Sequence, residues 1–262
     1  MVFAGDYDVV HYKKNFQLNA DQKYVIKVNI DVGRVWFTKS ETANEILIVV
    51  RYIDRAYRVD VDYNESRHKI AIDVEKREWF NKNSNETAEV RVEFPSAIEF
   101  ELYSKIKAGE VDLELGGLSL VELTLTTWAG EVVLDFAEPN HKSLQHLEIN
   151  TKIGETSIKK LGNARFVYAE INGGIGEMHV DFGGDYLSNA TALIDLDIGE
   201  TKVFLPETIG VKTRISKLNL SSIDVGTNFK KSGKYYYSQN YDEAEVALDL
   251  DISPGLGELK IH

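Results

Sequence analysis

Apolar and polar residues alternate along most of the chain. Tyr24-Val-Ile-Lys-Val-Asn-Ile30, His68-Lys-Ile-Ala-Ile-Asp-Val74, Ala88-Glu-Val-Arg-Val-Glu-Phe94 and Val121-Glu-Leu-Thr-Leu125 all follow this pattern. A period of two is that of a strand with one buried face. No stretch places apolar residues at i, i+3, i+4 and i+7 between caps, so long helices are not expected. The longest apolar run, residues 46–50, is far short of the roughly 18 residues that a membrane-spanning helix needs.

A longer period lies over the alternation. Ala108-Gly-Glu-Val-Asp-Leu113 recurs as Ala129-Gly-Glu-Val-Val-Leu134, Ile153-Gly-Glu-Thr-Ser-Ile158, Ile175-Gly-Glu-Met-His-Val180, Ile198-Gly-Glu-Thr-Lys-Val203 and Leu256-Gly-Glu-Leu-Lys-Ile261. The glycines stand at 109, 130, 154, 176, 199 and 257, with gaps of 21, 24, 22, 23 and 58. Asp224-Val-Gly-Thr-Asn-Phe229 reads as a degenerate copy inside the last gap. A strand precedes each copy at a fixed offset, as in Leu123-Thr-Leu125 and Leu147-Glu-Ile149. The unit is therefore strand, tight corner, strand, connection. Glycine suits a corner that needs positive φ. Gly109, Gly130, Gly154, Gly176, Gly199 and Gly257 are the expected structural corners.

A unit of about 22 residues cannot bury its apolar face alone, so copies must stack. The expected fold is all-β: a β-solenoid, single-stranded and right-handed β-helix-like, with rungs of about 22 residues and Gly-Glu corners. Ten or eleven rungs about 4.8 Å apart would give a rod on the order of 50 Å. Residues 1–108 read as degenerate N-terminal rungs and 109–262 as the regular repeats. Asp31-Val-Gly-Arg-Val-Trp-Phe37 looks like a corner with Arg34 in the glutamate's place, and strands are expected over 45–51, 57–63, 68–74 and 88–94. The polar stretch 81–87 reads as a loop.

The serial Gly-Glu corners, with Gly199-Glu-Thr-Lys-Val-Phe-Leu-Pro206 followed by Ile209-Gly-Val-Lys212, resemble the bacterial toastrack adhesin families. They also resemble the C-terminal domain of LiaF-type cell-wall stress-response proteins. The resemblance is clear over 109–262 and weaker over 23–108. It implies a solenoid-like fold on the cell envelope, without known catalysis and with no active-site motif to carry over.

The chain has no cysteine, which excludes a disulfide scaffold, thiolate metal sites and a cysteine nucleophile. It carries 30 Lys+Arg against 42 Asp+Glu, a net charge of −12. Nucleic acid is excluded as the main partner, because phosphate binding needs a basic footprint. The acidity is uneven. Residues 1–108 hold 17 basic and 18 acidic residues, whereas 109–262 hold 13 and 24. The repeat half is the acidic one.

Stacking in register would align Glu110, Glu131, Glu155, Glu177 and Glu200 in a column. Carboxylates about 5 Å apart repel by about 1 kcal/mol in water. Such a column is either a solvated row or a stripe for a cation or a basic surface. Gly173-Gly-Ile-Gly-Glu177 fails as a calcium nonapeptide, since Met178 stands where an aspartate belongs, and fails as a dinucleotide fingerprint. Six scattered histidines lack zinc spacing, so no metal, cofactor or catalytic residue is expected. Asp195, Asp197, Asp249 and Asp251 alternate with apolar residues and read as solvated strand faces.

The most distinctive local feature is an insertion over 227–243. Tyr235, Tyr236, Tyr237 and Tyr241 sit there among Lys230, Lys231 and Lys234. Two readings stay open: a cap over a solenoid end, and a binding surface for a protein or a glycan. The strand ending the chain, 258–262, is expected to present an edge that needs cover. A second aromatic and arginine cluster joins Arg51, Tyr52, Arg55, Tyr57, Arg58, Arg77, Trp79 and Phe80.

The expected function is interaction rather than catalysis: an adhesin, scaffold or cell-wall stress sensor of the bacterial envelope, contacting protein or cell-surface glycan. Self-association through a solenoid end is a further expectation. One alternative is a polysaccharide-active β-helix enzyme. Another is a cytoplasmic regulatory or assembly protein that oligomerises through strand edges. Localisation at the envelope presupposes a signal or anchor upstream of Met1, whose neighbourhood lacks one; otherwise the protein is cytoplasmic.

Overall fold

The computed structural model describes residues 9–77, 87–216 and 221–262. Trp79, Phe80 and residues 81–86 of the expected loop lie outside the described residues. In chain order the strands are β1 (Val9–Gln17), β2 (Tyr24–Lys39), β3 (Glu45–Ile53), β4 (Tyr57–Asn64), β5 (Lys69–Lys76) and β6 (Ala88–Phe94). Then come β7 (Phe100–Glu114), β8 (Leu120–Asp135), β9 (His146–Lys159), β10 (Tyr168–Asp181), β11 (Ala190–Phe204) and β12 (Gly210–Ile215). The last are β13 (Ser221–Val225), β14 (Phe229–Ser232), β15 (Tyr235–Ser238), β16 (Ala247–Ser253) and β17 (Leu256–Ile261). All belong to one hydrogen-bonded network. The all-β solenoid read from the sequence is the architecture observed.

The long strands are rungs bent once at a glycine. In β8, Leu123, Leu125 and Thr127 point inward before the corner, and Val132 and Leu134 point inward after it. The inward parity switches across Trp128, Ala129 and Glu131, which face solvent. Each rung thus has two arms that bury one face each. Like residues stack on like: Ile26, Leu102, Leu123, Leu147, Ala169, Ala192 and Leu250 form one inner ladder. Each large aliphatic side chain so buried contributes about 1.5–3 kcal/mol.

Among the described residues the stack has nine two-armed rungs rather than ten or eleven. Their spatial order is β5/β6, β2, β7, β8, β9, β10, β11, β16/β17, β12/β13. The remaining strands run antiparallel and cover the ends instead of adding rungs. β4 pairs with β5, and β3 pairs with β6 and carries β1. At the far end β15 pairs with β12 and carries β14.

Chain order and spatial order differ at both ends. β2 lies between β5/β6 and β7, and β16/β17 lies between β11 and β12/β13. This corrects the reading of 258–262 as an exposed edge: β17 has β11 on one side and β13 on the other. It also corrects the degenerate copy at Gly226. The residue registered with Gly257 is Ser221, and Gly226 follows β13, its N–H donating to Ile261 O at 2.9 Å. The register is set by Ile223 against Leu259.

The connections between rungs form a third side, with Phe136 and Leu144 buried. Asn140 Oδ1 accepts from Leu118 N at 3.1 Å. Asn163 Nδ2 donates to Phe136 O at 2.8 Å, and its Oδ1 accepts from Asp185 N at 2.9 Å. Two buried amides therefore tie four successive connections. β1 guards its own edge: Lys14 points inward, lies 5.0 Å from the Phe16 ring and donates to Val61 O at 3.0 Å. An inward charge on an edge strand discourages pairing with another chain.

Candidate functional site

The corner is the most repeated element. Gly33, Gly109, Gly130, Gly154, Gly176, Gly199 and Gly257 stack in one column. From Gly109 onward φ lies between 137° and 152°, a region that glycine alone adopts at little cost. Space demands glycine as well. A Cβ on Gly154 would lie 1.8 Å from Gly130 O, and one on Gly176 would lie 1.7 Å from Gly154 O. The glycines are structural: they let neighbouring backbones approach.

Next to them runs the glutamate column, in register from Glu110 to Glu258, with Arg34 at its head. Its ends are neutralised. Arg34 Nε lies 3.2 Å from Glu110. Glu200 takes Lys260 at 2.9 Å and Lys202 at 3.1 Å, and Lys260 also reaches Glu258 at 2.9 Å. These lysines hold the Glu200 carboxyl below its ordinary range. The middle is different. Glu177 has only His179 at 3.9 Å, and Glu131 and Glu155 have no ion-pair partner among the described residues. No group of three His, Asp or Glu side chains among the described residues converges as a metal site would require.

The insertion folds as the hairpin β14–β15, turning at Gly233-Lys234 with Gly233 at φ 60°. A glycine opening a two-residue turn matches the twist of its strands. The hairpin extends the first-arm sheet past β12, with Tyr237 opposite Lys212, Tyr236 opposite Thr213 and Tyr235 opposite Arg214. Thr213 is buried, so alternation puts Tyr236 on the inner face and Tyr235 and Tyr237 on the outer one. Lys231 lies over Tyr236 at 5.1 Å. On the outer face Tyr235 lies between Lys212 at 5.1 Å and Lys234 at 5.2 Å. Tyr237 packs edge-on against Tyr235 at 6.1 Å and Tyr241 at 5.0 Å. Lys230 is exposed opposite Tyr237. The four tyrosines are half-buried.

Two cations that the sequence reading passed over border this face. Lys212 binds Asp249 at 3.0 Å, and Arg214 makes a two-pronged contact with Asp251 at 2.7 and 2.6 Å. Asp249 and Asp251 are therefore paired and not simply a solvated acidic row. Asp195 lies on the next rung, its carboxyl pushed up by burial and by Asp197. The usable signal was the match of Lys-Thr-Arg at 212–214 to Asp-Leu-Asp at 249–251, one residue type facing the other at the same period.

The second cluster divides. Tyr57 is buried, and its carbonyl accepts from Arg77 Nε at 3.3 Å. Arg51 pairs with Glu89 at 3.2 Å, and Arg58 lies 3.9 Å from Asp60. These residues serve the N-terminal cap. The histidines do not meet one another: His146 stacks on Tyr168 at 5.5 Å, and His141 lies against Ser96 O at 3.2 Å.

Residues 5–159 match a family model described as the N-terminal domain of toast_rack, DUF2154. None of the curated proteins matches the chain. Among solved structures the chain is similar to a "putative cell adhesion protein" from Clostridium sporogenes ATCC 15579, at 16% identity and TM-score 0.47, over 97% of this chain and 99% of that one. It is similar to a "putative adhesin" from Bacteroides fragilis NCTC 9343, at 12% identity and TM-score 0.43, over 97% of each. A third, a "putative adhesin" from Parabacteroides merdae ATCC 43184, shares 11% identity at TM-score 0.38 over 96% of each.

Proposed function

The chain belongs to the toast_rack family, and from that premise we propose that it is a non-catalytic interaction protein of the bacterial envelope, an adhesin or scaffold. Its contact surface is the outer face of the C-terminal hairpin, and its ligand is a cell-surface glycan. The observation carrying this reading is the group Tyr235, Tyr237 and Tyr241, half-exposed and edge-packed, with Lys212 and Lys234 over Tyr235. Tyrosine offers an apolar ring for a sugar face and a hydroxyl for its rim. Lys230 and Lys234 make no ion pair with a carboxylate among the described residues and suit an anionic sugar.

The hairpin also covers the edge of β12, so cap and contact surface are two faces of one element. That division makes the reading testable. A Tyr235/Tyr237→Ser variant should lose binding to immobilised cell-wall glycans, measured on an array, and keep its melting temperature. Tyr236→Ser should keep binding and lower the melting temperature. Equal glycan binding by wild type and the outer variant refutes the assignment. Release of new reducing or unsaturated ends from those glycans refutes the non-catalytic reading.

A further inference from the structure

From Gly130 onward the residue before each corner glycine faces solvent, and Ala108 before Gly109 is partly exposed. In two rungs it is alanine, Ala108 and Ala129, so the fold asks for nothing larger there. In the next four rungs it is Ile153, Ile175, Ile198 and Leu256, stacked in register. These are 56%, 52%, 44% and 41% exposed, and Trp128, beside Ala129, is 53% exposed. Steps of about 4.8 Å make this a ridge roughly 19 Å long from Trp128 to Leu256. Four large aliphatic side chains stacked in register, with Trp128 one position off their column and under Lys107 at 5.9 Å, make an exposed apolar row, the mark of an interaction surface.

What lies beside the ridge selects its partner. One flank carries Glu131, Glu155 and Glu177, the stretch of the glutamate column without a Lys or Arg partner. The other carries Lys107, which is paired with Asp31 at 2.6 Å, and the exposed Lys152. A second copy docking ridge to ridge would bring two glutamate rows together if antiparallel. If parallel, it would set each row against a flank whose one lysine without a carboxylate partner among the described residues is Lys152. An anionic membrane would meet the same rows and the net charge of −12. We infer that the ridge Trp128–Ile153–Ile175–Ile198–Leu256 docks a cationic amphipathic protein segment. Its apolar seam lies along the ridge, and its lysines or arginines meet Glu131, Glu155 and Glu177. A helix of about 13 residues spans that length. This surface is on the corner and stands apart from the tyrosine face, so either assignment can fail without the other.

The test uses the full chain and a labelled helical peptide with a leucine stripe flanked by lysines, followed by fluorescence anisotropy. A peptide with glutamates in place of the lysines is the counterpart. The lysine peptide should bind the wild type, and the glutamate peptide should not. Ile153/Ile175/Ile198→Ala and Glu131/Glu155/Glu177→Gln should each weaken the lysine peptide by about tenfold or more. Alanine already occupies the corner position in two rungs, so the first variant is expected to melt with the wild type. If it does not, Ile175→Ala alone should weaken binding about threefold. The inference is overturned if the lysine peptide fails to bind the wild type. It is equally overturned if binding ignores the alanine variants, which would mean charge alone. A wild-type dimer in light scattering that dissociates in the alanine variant would assign the ridge to a second copy and overturn it too.

Discussion

Between Gly109 and Gly199 each rung meets a near copy of itself, and at the two ends it does not. In the middle, isoleucine stacks on isoleucine, glycine on glycine and glutamate on glutamate. At the ends the strands reverse direction, the chain steps over a rung, and inward side chains such as Lys14 and Tyr236 close the stack. The difference is one of constraint. A middle residue is constrained by its counterpart one rung away, so residues of the same kind tend to recur, and at the corner the same letter does. An end residue has only to stop the stack, and many sequences can do that. The glycine column is the strictest case, because its requirement is both conformational and steric.

The sharpest way to break the comparison is to place the same substitution in both regions. Gly154→Ala puts a Cβ 1.8 Å from Gly130 O at φ 137°. Relief means separating two rungs, at a cost of about 4–5 kcal/mol. For a domain of this size that lowers the melting temperature by roughly 10–15 °C. Gly233→Ala, in the hairpin turn, has φ 60° and no heavy atom within 4 Å of the added Cβ. It should cost only about 1 kcal/mol. Calorimetric melting of both variants decides the matter, and equal losses would mean that the column does not bear the stack.

The connections hold an intermediate place. Asn163→Ala leaves Phe136 O without its partner in a buried layer and Asp185 N without its partner at that layer's rim. A loss of about 2–3 kcal/mol is expected in urea unfolding. Asn140 and Asn163 lie 23 residues apart and Asp185 follows 22 later. That is the rung period, so the ladder was present in the sequence. It passed unnoticed because asparagine in a loop also has the ordinary reading of a turn residue.

The same logic separates what could be read from what could not. The glycine and glutamate columns, the two-armed rung and the corner at Gly33 follow from spacing, because stacking in register converts period into neighbourhood. The exchange of rungs at the ends left no trace. The alternation of β2 is the same whether it lies at an end or inside, and its position is decided by which partners remain after the whole chain has folded. Gly226 misled because a matching letter is weaker evidence than the hydrophobic register of Ile223 on Leu259. The tyrosines were legible as exposed aromatics and as cover for a strand. Lys212 and Arg214, which border their outer face and are paired with Asp249 and Asp251, enter only through the pairing of β12 with β15.

The smallest expected effect concerns the glutamate column, where an end-like feature intrudes on the repeat. Glu200 is held below its ordinary value of 4.5 by Lys260 and Lys202, whereas Glu131 and Glu155 lack such neighbours among the described residues. A carboxyl whose folded value is depressed stabilises the fold above its unfolded value, and that contribution is lost as pH falls through the folded value. The window therefore opens at about pH 4.5 and extends below it. Solvent screening keeps the contribution small, since the group is half-buried at the surface and not enclosed. Lys260→Gln should slightly lower stability at pH 7 and flatten the fall in stability below pH 4.5, read from urea midpoints between pH 3 and pH 7. The same exchange at Lys152, which is exposed and makes no ion pair with a column glutamate among the described residues, should leave both unchanged. If the two variants behave alike, the lysines at the end of the column do nothing that the bare middle lacks, and the distinction between its ends and its middle fails.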